Sequence, residues 1–304
     1  MHNPFTHPSG VLLLGDVRKL LLTKQVFSRP DHRIIFICGG STNPRSKSIR
    51  LKFLNFAERH LQQYRFLLAE NASKDLIESS SEPQFLNLTD FESLIADISD
   101  CVIIVPESPG SYTELGCFSM VGEARKKILI ITKTEFQNES FINNGPIDLI
   151  DRESAFRKTI LLPSINDKGF KLVKHRLEAK LTYKSGKRID LSSLRTPSLR
   201  IILYISYELI RIFRLLTAKD VLMGVASIIP HISKSQCDHV LSILYASQYL
   251  KRSTFDRDYF AVSDNNRSFI DIRNVNVDLL MARATENINQ ISPELLEMLG
   301  GDFE

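Results

Sequence analysis

The sequence predicts an α/β protein. A Rossmann-like parallel sheet with helices on both faces is followed by a mainly helical connector and a winged helix-turn-helix domain. The first part rests on short, uniformly apolar segments that alternate with stretches of helical periodicity and end in glycine-rich or polar turns. The second part rests on a change after Ile150, where basic and amphipathic helical stretches replace the strand pattern. We therefore expect an α/β domain over residues 1–155, a basic helical connector over 156–215 and a winged-helix domain over 216–304.

Four segments have the composition of buried parallel strands, and each is followed by a helical stretch or a polar turn. They are Arg33–Cys38, Tyr64–Ala69, Cys101–Val105 and Ile128–Thr132. The intervening helices are predicted from Ser46 onward, from an N-cap at Asp90 through Ile98, and over 112–126. Because ligands bind at the carboxyl ends of parallel strands, the turns after the first three strands should share one crevice.

Length and composition exclude several classes of protein. A chain of 304 residues with 43% apolar and 24% charged residues fits two globular domains rather than a disordered protein. No stretch approaches the roughly 20 apolar residues that a membrane span needs, and no signal peptide is visible. The four cysteines form no C-x-x-C pair, which argues against a zinc site or a disulfide framework. We expect a cytoplasmic protein that binds no metal.

The turn before the third helix carries the chemistry that the sequence suggests. Backbone N–H groups at a helix start favour anions, so a phosphate is expected at Gly110, Ser111 and Tyr112. Glu114, in the first turn, would then face a ribose and assist cleavage of an N-glycosidic bond. The alternative is that Glu114 only complements the helix dipole. The dinucleotide-binding glycine motif, the Walker lysine loop and the kinase motifs are absent from the sequence.

The segment 106–116, Pro-Glu-Ser-Pro-Gly-Ser-Tyr-Thr-Glu-Leu-Gly, resembles the signature loop of the nucleoside deoxyribosyltransferase-like effector toxins encoded beside retron reverse transcriptases. Phe36–Gly40 and Phe141–Pro146 resemble that family's other blocks in the same order. The resemblance implies a C-terminal winged-helix DNA-binding region. The segment is more distantly similar to the Pro-Gly-Gly-x-Gly-Thr-x-x-Glu loop of nucleotide phosphoribohydrolases, from which it departs at Ser111.

By this resemblance, the catalytic glutamate corresponds to Glu114. The candidate substrate-binding residues are Gly39, Gly40, Ser41, Glu70, Ser108, Pro109, Gly110, Ser111 and Asn143. The resemblance also implies NAD or another nucleotide as substrate, with no separate cofactor. Its implied partners are a reverse transcriptase and its multicopy single-stranded DNA (msDNA), which restrain the toxin, and it allows a homo-oligomer or higher assembly.

The second half of the chain carries a basic run from Lys168 to Arg188, which contains eight Lys and Arg residues and the single acid Glu178. Such a run suits a phosphate backbone, although a solvated helix face is an equal alternative. A largely apolar helix over 199–216 is expected to connect the domains, and two helices and a hairpin over 217–262 indicate the winged helix. The candidate nucleic-acid-binding residues are Lys184, Lys187, Arg188, Lys251 and Arg252, with further contacts near the helix start at 235–239 and at Arg257.

Other reactive side chains have weaker interpretations. Glu107 is either an acid partner or a solvated loop carboxylate, and Cys38 and Cys117 are expected to pack in the core. The histidines His32, His60, His231 and His239 show no metal-ligand spacing. The alternative function is a nucleotide-sensing transcription regulator, in which the first domain binds a nucleotide without turnover and the winged helix reads an operator.

Overall fold

The computed structural model describes residues 4–29, 33–70, 88–136, 140–182, 186–192, 197–253, 258–263, 268–291 and 293–300. The strands are β1 Val26–Ser28, β2 Arg33–Cys38, β3 Tyr64–Leu67, β4 Cys101–Ile104, β5 Ile128–Lys133, β6 Ile160–Leu162, β7 Arg188–Ile189, β8 Leu216–Thr217, β9 Leu250–Arg252, β10 Tyr259–Val262 and β11 Ile270–Ile272. The helices are α1 Pro8–Thr23, α2 Ile49–His60, α3 Leu88–Ile98, α4 Pro109–Met120, α5 Gly122–Arg125, α6 Asp148–Glu153, α7 Asp167–Leu181, α8 Leu199–Phe213, α9 Ala218–Ile228, α10 Lys234–Ala246, α11 Val277–Ile291 and α12 Glu294–Gly300.

The described residues form two compact units. Residues 33–70 and 88–182 make up the α/β unit, and residues 4–29 and 186–300 make up the helical unit. This division differs from the expected boundaries, because the first helix and strand belong with the C-terminal half of the chain. The expected connector over 156–215 is also divided between the two units. Of the described helices, none is long and apolar enough to cross a membrane.

The α/β unit contains a five-stranded parallel sheet in the order β3-β2-β4-β5-β6. The α/β class, the parallel sheet and the four expected strands are therefore confirmed. The fifth strand, β6, was not predicted because its three residues are too few to show a pattern. The strand order reverses between β2 and β4, and the carboxyl ends at such a switch point are where open α/β sheets bind ligands.

Helices cover the sheet on both faces, as a parallel sheet requires. Phe53 of α2 and Phe170 of α7 pack together in the core that contains Ile35 and Ile37. On the other face, the ring of Phe36 packs edge-on against the ring of Phe118 on α4, with the ring centroids 6.1 Å apart. Alternate residues of β2 thus point to opposite faces, as the pleat of a strand requires. Cys38 shares the face of Phe36, toward α4.

The helix α7 was expected to be part of a connector between the domains. It lies instead within the α/β unit. Its buried residues, Phe170, Val173, Leu177 and Leu181, recur every three or four positions and lie in the sheet core. The basic residues between them concealed this apolar face in the sequence. The helix α3 likewise begins before Asp90, at Leu88, so Asp90 lies inside the helix and is not its N-cap.

The helical unit is built around α8, which is buried over most of its length and packs against α9, α10 and α11. The helix α1 packs against α9 and α11 in the same unit. Two three-stranded antiparallel sheets complete it, in the orders β8-β10-β9 and β7-β1-β11. The hairpin expected within 251–262 is present as β9 and β10.

Candidate functional site at the switch point

The candidate site lies where β2 and β4 end, and its backbone is fixed by glycines. A Cβ atom on Gly39 would lie 2.8 Å from the Cβ of Arg50 and 3.2 Å from that of Val105. A Cβ on Gly40 would lie 2.8 Å from the Cβ of Ser48. The two distances of 2.8 Å are shorter than any contact that a Cβ atom tolerates. The start of α2 can therefore pack against this turn only if residues 39 and 40 are both glycine.

The first turn of α4 uses most of its own donors. The Ser108 Oγ accepts from the Ser111 amide at 3.3 Å, and the Tyr112 amide donates to the Ser108 carbonyl at 3.0 Å. The Ser111 Oγ in turn accepts from the amides of Glu107 and Ser108. Two of the three amides that the sequence assigned to a phosphate are thus occupied within the chain, which corrects that expectation. A Cβ on Gly110 would meet nothing within 4 Å, so this part of the turn is open.

Glu107 holds the two loops of the site together. One carboxylate oxygen accepts from the amides of Gly40 at 3.0 Å and Arg50 at 2.9 Å, and the other accepts from the Ile49 amide at 2.6 Å. The amides of Ile49 and Arg50 are orphan donors at the start of α2, which a carboxylate satisfies well, and the Gly40 amide belongs to the turn after β2. Glu107 is therefore neither an acid partner nor a solvated loop residue, the two alternatives that the sequence left open.

Arg50, which sequence reasoning missed, is a buried cation beside the site. It is 7% exposed, and its guanidinium donates to the Gly40 carbonyl and to the Glu70 carboxylate, both at 2.6 Å. The side chain of Glu70 is 40% exposed. The expected placement of Glu70 near the Gly39–Ser41 turn is observed, and its carboxylate is held by an ion pair.

Glu114 lies half-buried on α4, where the thiol of Cys38 donates to its carboxylate. Its Oε2 atom is buried and, within the part of the chain that the structure describes, makes no hydrogen bond. Burial raises the pKa of this carboxyl, and the charge of Glu70 adds to that shift. The Arg50 guanidinium and the Cys38 thiol oppose it. One carboxylate oxygen is thus held in place while the other is desolvated and unused.

Glu92 on α3 is a second residue of the site that the sequence did not reveal. Burial, followed by the charges of Glu114 and Glu70, raises its pKa from 4.5 to about 7. In the sequence, Glu92 is one polar residue on an amphipathic helix, which is the usual pattern of a solvated charge. Only the fold brings it close enough to Glu114 for the two carboxyls to interact.

The two cysteines of this region differ from each other. Cys38 is buried as expected, and burial raises the pKa of its thiol, with the charges of Glu114 and Glu92 adding to the effect. It is therefore a neutral hydrogen-bond donor and not a thiolate nucleophile. Cys117 is exposed on α4, so the expectation that it packs in the core is wrong.

The remaining candidates for substrate contact lie around the same edge. Ser41 is exposed, and its Oγ accepts from the Asn43 amide at 3.1 Å. Pro109 is the exposed first residue of α4. Asn143 opens the π-helical segment Asn143–Ile147, which packs against α4. Their expected contacts with substrate stay predictions.

The residues expected to bind nucleic acid fall into separate places. Of the basic run, the cations up to Lys180 lie on α7 in the α/β unit, whereas Lys187 and Arg188 are exposed in the helical unit, at β7. Lys251 and Arg252 lie on β9, where the Arg252 guanidinium lies 4.8 Å from the centroid of the Phe260 ring. Lys184 and Arg257 fall outside the described residues.

The helix start at 235–239 offers less than expected. Both Cys237 and His239 of α10 are buried, and burial lowers the pKa of His239. These two side chains are therefore not available to a nucleic-acid backbone.

The chain matches known retron proteins. Residues 46–252 match the family described as STM3845 retron effector protein. The "Retron Ec73 putative ribosyltransferase/DNA-binding protein" of Escherichia coli is 42% identical over 124 residues, which are 40% of this chain and 39% of that protein. The "Retron Ec86 putative ribosyltransferase/DNA-binding protein" of Escherichia coli is 32% identical over 170 residues, 55% of this chain and 52% of that protein. The chain thus spans about two fifths to a half of the length of these curated relatives.

Proposed function

This chain belongs to the STM3845 retron effector protein family, and on that premise we propose that it cleaves the N-glycosidic bond of a nucleotide through Glu114. NAD is the favoured substrate. The chain acts as the toxin of an antiphage defence system, and the retron reverse transcriptase and its msDNA restrain it until infection disturbs the complex. The names of both relatives, which include ribosyltransferase, support chemistry at an anomeric carbon.

The observation that carries this proposal is the environment of Glu114. Its Oε2 atom is buried without a hydrogen bond among the described residues, at the edge of the sheet where α/β folds bind ligands. A carboxylate oxygen that is desolvated and unpaired interacts strongly with positive charge developing at an anomeric carbon. The same oxygen is also available to attack that carbon.

The three carboxyls of the site differ in their surroundings and so take different parts in the reaction. Glu70 forms an ion pair with Arg50. Burial raises the pKa of Glu114, but the charge of Arg50 and the Cys38 thiol both oppose that shift and favour the charged form. Burial, and then the charges of Glu114 and Glu70, raise the pKa of Glu92 to about 7, so Glu92 is proposed as the member that retains a proton near neutral pH. Glu114 is thus suited to be the nucleophile and Glu92 the proton donor.

The proposed reaction has two steps. The Glu114 carboxylate forms a bond to C1′ as the bond from C1′ to the base breaks, and the electron pair leaves with the base nitrogen. Glu92 gives its proton to a base that would otherwise leave as an anion, and so becomes a carboxylate. Nicotinamide leaves NAD neutral, so with NAD it is the ionised form of Glu92, about half of the population near pH 7, that enters the second step. Water then attacks C1′, Glu92 takes the proton from that water, and Glu114 is released as a carboxylate.

A nucleic-acid role is proposed for the helical unit. This proposal is supported by the element order α8, β8, α9, α10, β9, β10, with β10 between the other two strands, which is the order expected of a winged helix. Both relatives are named DNA-binding proteins. We assign Lys187, Arg188, Lys251 and Arg252 to contacts with the msDNA or its complex with the reverse transcriptase.

Base release from purified protein tests the proposed activity. The protein is incubated with NAD and with other nucleotides, alone and with its reverse transcriptase and msDNA, and free base is measured by chromatography. Glu114→Gln should abolish release while folding and complex formation remain. Glu123→Gln, whose side chain is 78% exposed, is the matched control and should behave as wild type. A fully active Glu114→Gln protein would refute the assignment, and bound nucleotide without base release would instead indicate a sensor.

A further inference from the structure

The sheet β7-β1-β11 of the helical unit gathers three residues that are far apart in the sequence. In its register, Phe27 of β1 pairs with Arg188 on one side and with Asp271 on the other. Residues paired directly across strands project from the same face of a sheet. Their neighbours Val26 and Ile272 are buried, so this face is the outer one.

The outer face combines an aromatic ring with an excess of positive charge. Arg273 follows β11, and its guanidinium carbon lies 4.1 Å from the centroid of the Phe27 ring. Arg29 lies two residues after Phe27, so it shares this face, and its side chain is 38% exposed. Among the residues that the structure describes here, the cations on or beside the face are Arg29, Lys187, Arg188 and Arg273, and the acids are Asp190 and Asp271.

Of these described residues, the four cations outnumber the two acids. Asp271 lies 3.9 Å from Arg29, and the Asp190 carboxylate accepts from the amide and hydroxyl of Ser192. Arg188 and Arg273 are both exposed, as is Lys187 at the edge. The charge excess therefore sits beside the stacked pair of Phe27 and Arg273.

We propose that this face binds single-stranded nucleic acid, with a base stacked on the Phe27–Arg273 pair and backbone phosphates bound by Arg188. Aromatic rings and guanidinium planes accept any base by stacking, but only when the base is not already stacked in a duplex. Nearby cations then bind the phosphates and release counterions. The inference rests on the nucleic-acid role proposed above, and it names the surface and the form of the ligand.

The helix α10 supports a single-stranded rather than a duplex ligand. A recognition helix reads a duplex by placing a row of exposed side chains in the major groove. In α10, every residue from Cys237 to Leu244 except Asp238 is buried. The outer face of β7-β1-β11 presents the exposed cations that this stretch of α10 lacks.

Fluorescence anisotropy with the full chain tests the inference. The probes are a labelled 15-nucleotide DNA strand and a duplex of the same length, each titrated over a range of salt concentrations. The single strand should bind more tightly. Arg188→Gln should weaken its binding and reduce the slope of log affinity against log salt by roughly 0.7 for each phosphate that the variant no longer binds. Phe27→Leu should weaken it by about five- to a hundredfold with the slope unchanged.

Two controls keep these results specific. Lys219→Gln removes an exposed cation of α9 in the same unit and should bind as wild type. Arg273→Gln removes the stacked guanidinium at an exposed position, so it tests the platform even if Phe27→Leu melts early by circular dichroism. Equal binding of duplex and strand, or unchanged affinity in Arg188→Gln and Arg273→Gln, would overturn the proposal. Binding of a polyglutamate peptide in place of the strand would do so as well, by indicating a protein partner.

The same proteins separate this inference from the proposed catalysis. Glu114→Gln should bind the strand as wild type does, and Phe27→Leu should still release base. If no base is released from any nucleotide while strand binding follows the pattern above, only the proposed reaction fails. If base is released and strand binding does not respond to the variants, only the binding surface fails.

Discussion

Glu92→Gln separates proton donation from nucleophilic attack, because it removes an exchangeable proton and keeps the shape of the side chain. With a pKa of about 7, Glu92 is half protonated at neutral pH and only about one tenth protonated one pH unit higher. For a purine nucleoside, whose base must be protonated as it leaves, the wild-type rate should therefore fall above pH 7. General acid catalysis contributes typically about 10²- to 10⁴-fold, and Glu92→Gln should lose a factor of that size.

NAD supplies the internal comparison for this variant. Nicotinamide leaves without needing a proton, so the first turnover of Glu92→Gln should proceed near the wild-type rate. Later turnovers should slow, because no carboxylate remains to take the proton from the attacking water. Rapid quenching would then show a burst of one nicotinamide per protein, followed by a slow phase, and the purine nucleoside would show no burst.

Other results would contradict this division of labour. An equal loss in the first turnover of both substrates would mean that Glu92 only shapes the pocket. Unchanged rates with both substrates would mean that the proton comes from elsewhere. The exposed control Glu123→Gln should leave both the burst and the pH profile unchanged, since its carboxylate pairs with Lys126 at the surface.

Three predictions concern stability and are read from thermal melting. Because the pKa of Glu92 is raised in the folded protein, its contribution to stability is fully present below about pH 4.5 and is lost as pH rises through about 7. Glu92→Gln should therefore raise Tm at pH 8 and change it little at pH 4.5. A change in Tm that is the same at every pH would refute this. Gly40→Ala should destabilise the folded protein by about 1–3 kcal/mol, because the new Cβ would lie 2.8 Å from that of Ser48. A Cβ at Gly110 would meet nothing within 4 Å, so Gly110→Ala should be neutral or stabilising. Equal effects of the two variants would contradict the packing argument. Ser108→Ala removes the side-chain cap of α4 and should cost about 1 kcal/mol, while Ser41→Ala, at an exposed loop residue, should cost less than half of that.

The strands that could be predicted from sequence were those whose signal is local. Each of β2, β4 and β5 is a continuous apolar run that a polar or glycine turn ends, so composition alone identified them. The short β6 carries no such signal. The basic residues of helix α7 dominate its composition and favour a connector, although its apolar residues already have helical spacing.

Within the candidate site, the sequence predicted Glu114 and the loops as functional, and these stay predictions, but it did not show the electrostatics. Gly39, Gly40 and Ser108 were found by turn chemistry and resemblance, and the structure gives each a role in packing or capping. Arg50 and Glu92 were missed because what matters about them is their distance from residues on other elements. No local pattern in the sequence distinguishes Arg50, which pairs with Glu70 after β3, from an arginine that points to solvent.

The loop after β4 caps the starts of two helices without using Glu114. Glu107 and Ser108 satisfy the exposed donors at the starts of α2 and α4, so the helix ends need nothing from a ligand or from Glu114. Glu114, one turn further along, is then free of any capping duty, and its Oε2 atom remains desolvated and without a partner among the described residues. An unpaired buried oxygen costs stability, typically about 1–3 kcal/mol, and such a cost is retained where the group has a task in the bound state. The division between two capping residues and one unpaired carboxylate therefore argues for a reactive role of Glu114 independently of the resemblance in sequence.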